Sequence, residues 1–145
     1  MKKYILAVVL LLGFLLQGFS QGKLVVIVNN SNPISNLSPL EVKNYYLRKT
    51  KSRWPGSNAP IYPMDFKNNP QVSKDFHSKI LKMSREEVVT HFSQRRIANG
   101  ERPPIKVYNI EQIIMGVSKY PGAIGFMYAK DLTDKSQVKV VCEVD

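Results

Sequence analysis

Met115-Gly-Val-Ser-Lys-Tyr-Pro-Gly-Ala-Ile-Gly-Phe126 holds the end of one structural element and the start of the next. Val117 completes an apolar stripe, Ile110, Ile113, Ile114 and Val117, whose i, i+3, i+4, i+7 spacing lies along one face of a helix. Tyr120-Pro121-Gly122 then places proline and glycine in helix-stop positions, because proline lacks the N–H that would continue the ladder and glycine tolerates the turn. Ala123-Ile-Gly-Phe-Met127 follows as a strand, and Gly125 within it signals close approach of another backbone or side chain. A helix that stops and feeds a strand is the joint of an α/β fold.

Working outward, three further helix starts carry their own punctuation. Ser38 and Glu41 form a capping box with Pro39 in the first turn, and Leu37 and Val42 sit at staple positions; this helix should reach about Leu47 or Arg48. Ser84 and Glu87 repeat the pattern, with Met83 able to meet Val88. Asn109 and Gln112 mark the start of the helix that ends in the opening stretch. Asn69-Pro70 marks a fourth helix through Val72, Phe76 and Ile80, which share one face at i, i+4 and i+8.

Strand candidates lie between these helices. Lys23-Leu-Val-Val-Ile-Val28 is a continuous run of the kind buried on both faces, as in a parallel sheet. Pro60–Met64, Ile105–Val107, Ala123–Met127 and Val138–Val141 complete the set, with Pro63 assigning the first of them to an edge or an irregular strand. Helical crossovers between strands imply a small, mainly parallel or mixed sheet flanked by about four helices. Trp54, in the turn-rich Arg53–Asn58 loop, is expected to plug the end of the core.

The N-terminus reads as an export signal: Met1-Lys2-Lys3, an apolar run from Tyr4 to Leu16, and small residues before a cut after Ser20. The apolar run is shorter than the ~20 residues of a bilayer span, so no stable membrane span is expected once the signal is removed. That division gives residues 1–20 as signal and 21–145 as one domain, periplasmic or secreted. Cys142 is the single cysteine, so no internal disulfide is available, and its apolar neighbours make it a small buried hydrophobe. Losing Lys2 and Lys3 leaves 19 basic against 11 acidic side chains, a net +8. That excess permits attraction to phosphates, anionic lipids or acidic polymers, but scattered basic residues without a uniform block fit solvated helix faces.

Catalytic signals are thin. His77 and His91 fall in different helices without metal-site spacing, and Asp65 and Asp75 read as ordinary surface carboxylates. The chain has neither a serine nucleophile elbow nor a glycine-rich nucleotide fingerprint, so an enzyme is not expected and no cofactor or metal is assigned. Two Asn- and Ser-rich loops after strands, Asn29 to Ser35 and Lys67 to Ser73, are the natural places for an anion at the carboxyl ends of strands and the N-termini of helices. The candidate ligand-binding residues are Asn30, Ser31, Asn32, Lys67, Asn69, Gln71 and Ser73. The same residue types are also plain caps and turn formers.

The order of segments resembles the phosphate-type periplasmic substrate-binding proteins. It is carried by Val28-Asn-Asn-Ser-Asn-Pro-Ile-Ser-Asn-Leu-Ser38, by Glu41-Val-Lys-Asn-Tyr-Tyr-Leu-Arg-Lys49 with Arg53-Trp54, by Pro60-Ile61 and Phe76, and most strongly by Val117-Ser-Lys-Tyr-Pro-Gly-Ala-Ile-Gly-Phe126. The resemblance implies one lobe of a type 2 periplasmic-binding-protein fold that hands an anion such as phosphate to an ABC transporter. Members of that family close two lobes around the ligand, whereas this chain reads as one. Their ligand loop has an Arg and a Ser-Gly-Thr segment; the comparable stretch here, Met64 to Ser73, has neither, and brings Asp65 and Pro70 instead. Lys67, Asn69, Gln71 and Ser73 remain for a weaker site. The expected function is an exported solute-binding-like protein that binds an oxyanion weakly or serves a transporter permease or other envelope protein, with no nucleic acid partner. The alternative is a basic extracytoplasmic module for an acidic partner or polyanion.

Overall fold

A computed structural model of the protein describes residues 22–50 and 52–145; the expected signal segment lies outside the described residues. Strands β1 (Leu24–Asn29), β2 (Tyr62–Phe66), β3 (Ile105–Val107), β4 (Ala123–Tyr128) and β5 (Val138–Val144) form one sheet in the order β3-β2-β4-β1-β5. Helices α1 (Pro39–Tyr46), α2 (Gln71–Phe76), α3 (Arg85–Asn99) and α4 (Ile110–Lys119) cover it. No helix among the described residues is long and apolar enough to cross a membrane.

The sheet is mixed. β2 runs parallel to both β3 and β4, while β1 is antiparallel to β4 and to β5. All six residues of β1 are buried, as a strand covered on both faces requires, but the parallel partners expected for it are replaced by antiparallel ones. A continuous apolar run reports burial on two faces and carries no information about the direction of its neighbours. Pro63 is accommodated because β3 begins opposite Met64: at Pro63 the strand is paired only with β4, through Ile124, and the missing N–H leaves no gap in a second ladder.

The helix starts follow the sequence. Ser38 and Ser84 each accept from the backbone N–H three residues on, and Glu41 and Glu87 return the bond to the cap. Asn109 caps α4 by accepting from the Gln112 N–H. α1 ends at Tyr46 with Leu47 as its cap, and Arg48 follows in the left-handed region at φ 56°. α2 departs from expectation, since it passes into a π-helical turn, His77–Leu81, which ends at Lys82 with φ 54°. Val72, Phe76 and Ile80 are buried as their spacing requires, and Ser73, Asp75 and His77 are buried with them.

Phe76 stacks on Phe126 of β4 with centroids 3.8 Å apart, and Tyr46 tilts against Phe76 at 4.6 Å. Such pairs contribute about 0.5–1.5 kcal/mol each beyond their burial. On the other face of the sheet α4 packs so closely that a Cβ on Gly125 would stand 2.6 Å from Ile113 Cγ2. Gly122 is equally constrained, because any side chain there would collide with the Pro60 carbonyl. The Gly122 carbonyl itself accepts from the Trp54 indole N–H and the Tyr62 N–H, both at 2.9 Å, so the turn in the opening stretch anchors the buried tryptophan. Cys142 is buried and unpaired, and burial first, then the nearby Glu143 charge, pushes its thiol pKa up.

Candidate functional site

Because β1 and β2 run in opposite directions, the two Asn- and Ser-rich loops emerge at opposite ends of the sheet. Asn30, Ser31 and Asn32 therefore cannot share a site with Lys67, Asn69, Gln71 and Ser73. The first group is mostly turned to internal bonds, although the buried Asn32 Nδ2 has no partner among the described residues. Asn29 Nδ2 donates to the Val117 and Ser118 carbonyls, both at 2.9 Å, and its Oδ1 accepts from the Ser31 backbone and hydroxyl. Asn30 Nδ2 donates to Ser136 O at 2.7 Å, and Asn32 Oδ1 accepts from the Ile34 N–H at 2.9 Å. The Asn29 and Asn32 carbonyl oxygens make Asx turns within the loop, and the Asn29 and Asn30 Nδ2 groups tie it to α4 and to the approach to β5.

The other end, at the carboxyl ends of β2 and β3, holds the polar chemistry. Asp65, read from sequence as a surface carboxylate, is only 2% exposed. Its Oδ1 accepts from the Ser73 hydroxyl at 2.8 Å and the Phe66 N–H at 2.7 Å; its Oδ2 meets His77 Nε2 at 2.9 Å and Lys106 Nζ at 3.0 Å. Burial by itself would raise the Asp65 pKa. The His77 hydrogen bond, the Lys106 and His77 charges and the Ser73 hydroxyl outweigh it and bring the carboxyl to about 2. An ionised carboxylate only accepts, so His77 donates through Nε2, which leaves the buried Nδ1 without a partner.

Asp75 is the second misread carboxylate, 4% exposed in the last turn of α2. It accepts from Tyr128 Oη at 2.6 Å and from Gln71 Nε2 at 2.8 Å. Burial first, and then this carboxylate, holds the Tyr128 phenol well above its usual range. His91, in α3, is half-buried with Nε2 2.8 Å from the Leu47 carbonyl, the structural role its sequence context suggests.

Of the four candidate residues at this end, Ser73 is committed to Asp65 and Gln71 to Asp75. Lys67 reaches Tyr108 Oη at 3.0 Å and stands 5.1 Å from the centre of its ring. Asn69 adopts φ 48°, and its Oδ1 is buried without a partner. At the start of α2 the Ser73 and Lys74 N–H groups return to the Pro70 carbonyl, and Pro70 has no N–H to offer. Lys67 is exposed, and Gln71 and Val72 are the first two residues of α2, whose N–H groups have no earlier turn of the helix to accept them. Arg85, whose guanidinium donates to the Lys67 carbonyl at 3.3 Å, adds a second positive charge.

Sequence reasoning missed the cluster of Asp65, Ser73, His77 and Lys106. Its one signal is an acid inside an apolar strand, Met64-Asp65-Phe66, where period-2 alternation puts a carboxylate under a helix. The carboxylate lies between the serine and the histidine, so the histidine does not activate the hydroxyl as a nucleophile. Among the described residues no group of three or more His, Cys, Asp or Glu is placed to hold a metal ion.

No protein-family profile matches the chain, and no curated protein sequence matches it. Solved structures do. An ABC-type phosphate transport receptor from Vibrio cholerae superposes with a TM-score of 0.64 at 20% identity, over 83% of this chain and 46% of the receptor. A phosphate ABC transporter substrate-binding protein from Clostridium perfringens, solved with phosphate bound, gives 0.64 at 19% identity, over 83% of this chain and 45% of that one. The fold is thus a periplasmic-binding-protein-like lobe. More narrowly, it is the lobe architecture found in phosphate ABC transporter receptors, and the chain spans less than half the length of those it matches.

Proposed function

We propose that this chain is an exported, non-enzymatic solute-binding-like module that takes a small oxyanion weakly at the start of α2 and acts beside a transporter or sensor in the cell envelope. The observation that carries this reading is the similarity of its fold to one lobe of phosphate receptors, one of them solved with phosphate bound. Lys67 would supply the charge, the Gln71 and Val72 N–H groups the directional donors, and Arg85 further positive potential.

Weak binding follows from two features. A single lobe covers one side of an ion and leaves the other in water, where hydration competes with every contact. Asp65 also draws on the site: its carboxylate, paired with Lys106 and bonded by His77, occupies the Ser73 hydroxyl. The placement of Asp65 between Ser73 and His77 supports a binding role over a hydrolytic one.

Isothermal titration of the purified protein with phosphate and with sulfate tests the proposal. Heat of binding that disappears in Lys67→Ala is the expected result. No heat with either anion, from protein shown to be folded by circular dichroism, rejects oxyanion binding by this chain alone.

A further inference from the structure

Among the described residues the sheet ends at β3, whose outer edge has no partner strand. The Lys67 N–H donates to the Val107 carbonyl at 2.8 Å, so Val107 and, by alternation, Ile105 turn their backbone groups toward β2, while Lys106 turns its N–H and C=O outward. β3 is also short, and Tyr62 and Pro63 of β2 have no neighbour on the same side.

An apolar groove flanks this edge on each face of the sheet. On one face Val88, Phe92, Pro103 and Pro104 line a cavity of about 200 Å³ between α3 and β3, with Arg96 and Lys106 at its rim. On the other face Tyr62, Met64, Ile105 and Tyr120 line a cavity of about 340 Å³. Tyr62 is 41% exposed, Ile105 49% and Tyr120 50%, large apolar surfaces that the fold leaves uncovered. Ile105 and Lys106, as successive strand residues, border the two different grooves, and a strand laid beside them would send its own side chains alternately into both.

We propose that this edge accepts an extended segment of a partner protein, apolar at its centre and acidic where it passes Arg96 and Lys106, by adding a strand to β3. Backbone pairing would supply the register and the two grooves the side-chain selection. The positive rim selects acidic flanks: Arg96 is exposed, and the Lys106 side chain, although paired with Asp65 at 3.0 Å, is 42% exposed. A second copy of the chain fits poorly: antiparallel pairing across a two-fold axis at Lys106 would set Lys106 against itself between two strongly basic molecules. This inference goes beyond the oxyanion site and does not depend on it.

The test is titration of the purified, isotope-labelled protein with a synthetic peptide that has a Val-Ile-Val core and a pair of Glu residues at each end, with a Lys-flanked peptide as control. The Glu-flanked peptide is expected to shift the Ile105–Val107 resonances, slow exchange of the Lys106 amide and bind about tenfold or more tightly than the control, a difference of about 1.4 kcal/mol. Arg96→Glu, at an exposed position, is expected to remove that preference without changing stability. The proposal is overturned by no binding of the Glu-flanked peptide, by shifts that avoid β3, or by equal binding of both peptides. It is also overturned by a peptide-free dimer that protects the same amide.

Discussion

His77 Nε2 lies 2.9 Å from the Asp65 carboxylate, and this buried pair joins the π-helical turn to β2, the strand next to the edge of the sheet. Since Lys106 meets the same oxygen and Ser73 the other, one carboxylate ties β2, β3, α2 and the π turn together. Replacing Asp65 with Ala strands His77 and Ser73 without an acceptor in the interior. The expected cost is about 3–5 kcal/mol in chemical denaturation, while Asp65→Asn, which keeps an acceptor oxygen, should cost less. A cost within about 0.5 kcal/mol for Asp65→Ala, as for an ordinary surface site, would contradict the assignment.

The same carboxylate sets an acid limit. Its pKa is about 2 in the folded protein against an ordinary 3.8, so the unfolded chain binds the proton first as pH falls. The stabilisation is complete above about pH 4 and is lost as pH drops through about 2; it amounts to about 2 kcal/mol. Denaturation midpoints measured from pH 5 to pH 2 should fall in the wild type and fall less in Asp65→Asn. Parallel declines in the two proteins would assign the acid sensitivity elsewhere.

Gly125 and Ile113 should behave as a coupled pair. A Cβ at Gly125 would press on Ile113 Cγ2, so Gly125→Ala is expected to destabilise by about 1–3 kcal/mol through overpacking. Ile113→Ala removes the obstructing methyl. The double mutant should therefore be more stable than the sum of the single effects implies, and strict additivity in a double-mutant cycle would contradict the close approach.

Trp54 is the only tryptophan, 2% exposed, with its indole N–H on the Gly122 carbonyl. Its fluorescence should be blue-shifted in the native protein and move to the red in one cooperative step on unfolding. Trp54→Phe should cost about 1–3 kcal/mol from lost volume and a lost hydrogen bond. Red-shifted native emission would place the side chain in water and contradict its role as a core plug.

The two Asn- and Ser-rich loops make separable predictions for anion binding. Lys67→Ala should abolish the titration heat, whereas Asn30→Ala should leave it unchanged, because Asn30 projects at the opposite end of the sheet and donates to Ser136. Equal losses from both substitutions would contradict a site at α2.

Much of the architecture was legible before any coordinates. Ser38, Ser84 and Asn109 cap helices, Pro121 and Gly122 end one, and the apolar stripes of α2 and α4 face the core. Each of these is a local effect, decided within a turn or two of chain by a side chain and the backbone groups beside it. The candidate site was less legible. Asp65 and Asp75 look alike on paper to any surface acid, and only the residues brought over them by the crossover, Ser73, His77, Lys106 and Tyr128, make their burial tolerable.

The sequence by itself therefore determined where elements begin and end, which faces are apolar, and that helices must cover a sheet. Tertiary structure alone decided strand direction, and with it everything that depends on which end of the sheet a loop occupies. A buried strand presents the same side chains to parallel and antiparallel neighbours, so the reversal of β1 leaves no trace in its composition. That reversal separates Asn30, Ser31 and Asn32 from Lys67, Asn69, Gln71 and Ser73, and leaves the buried Asp65 cluster with the second group alone.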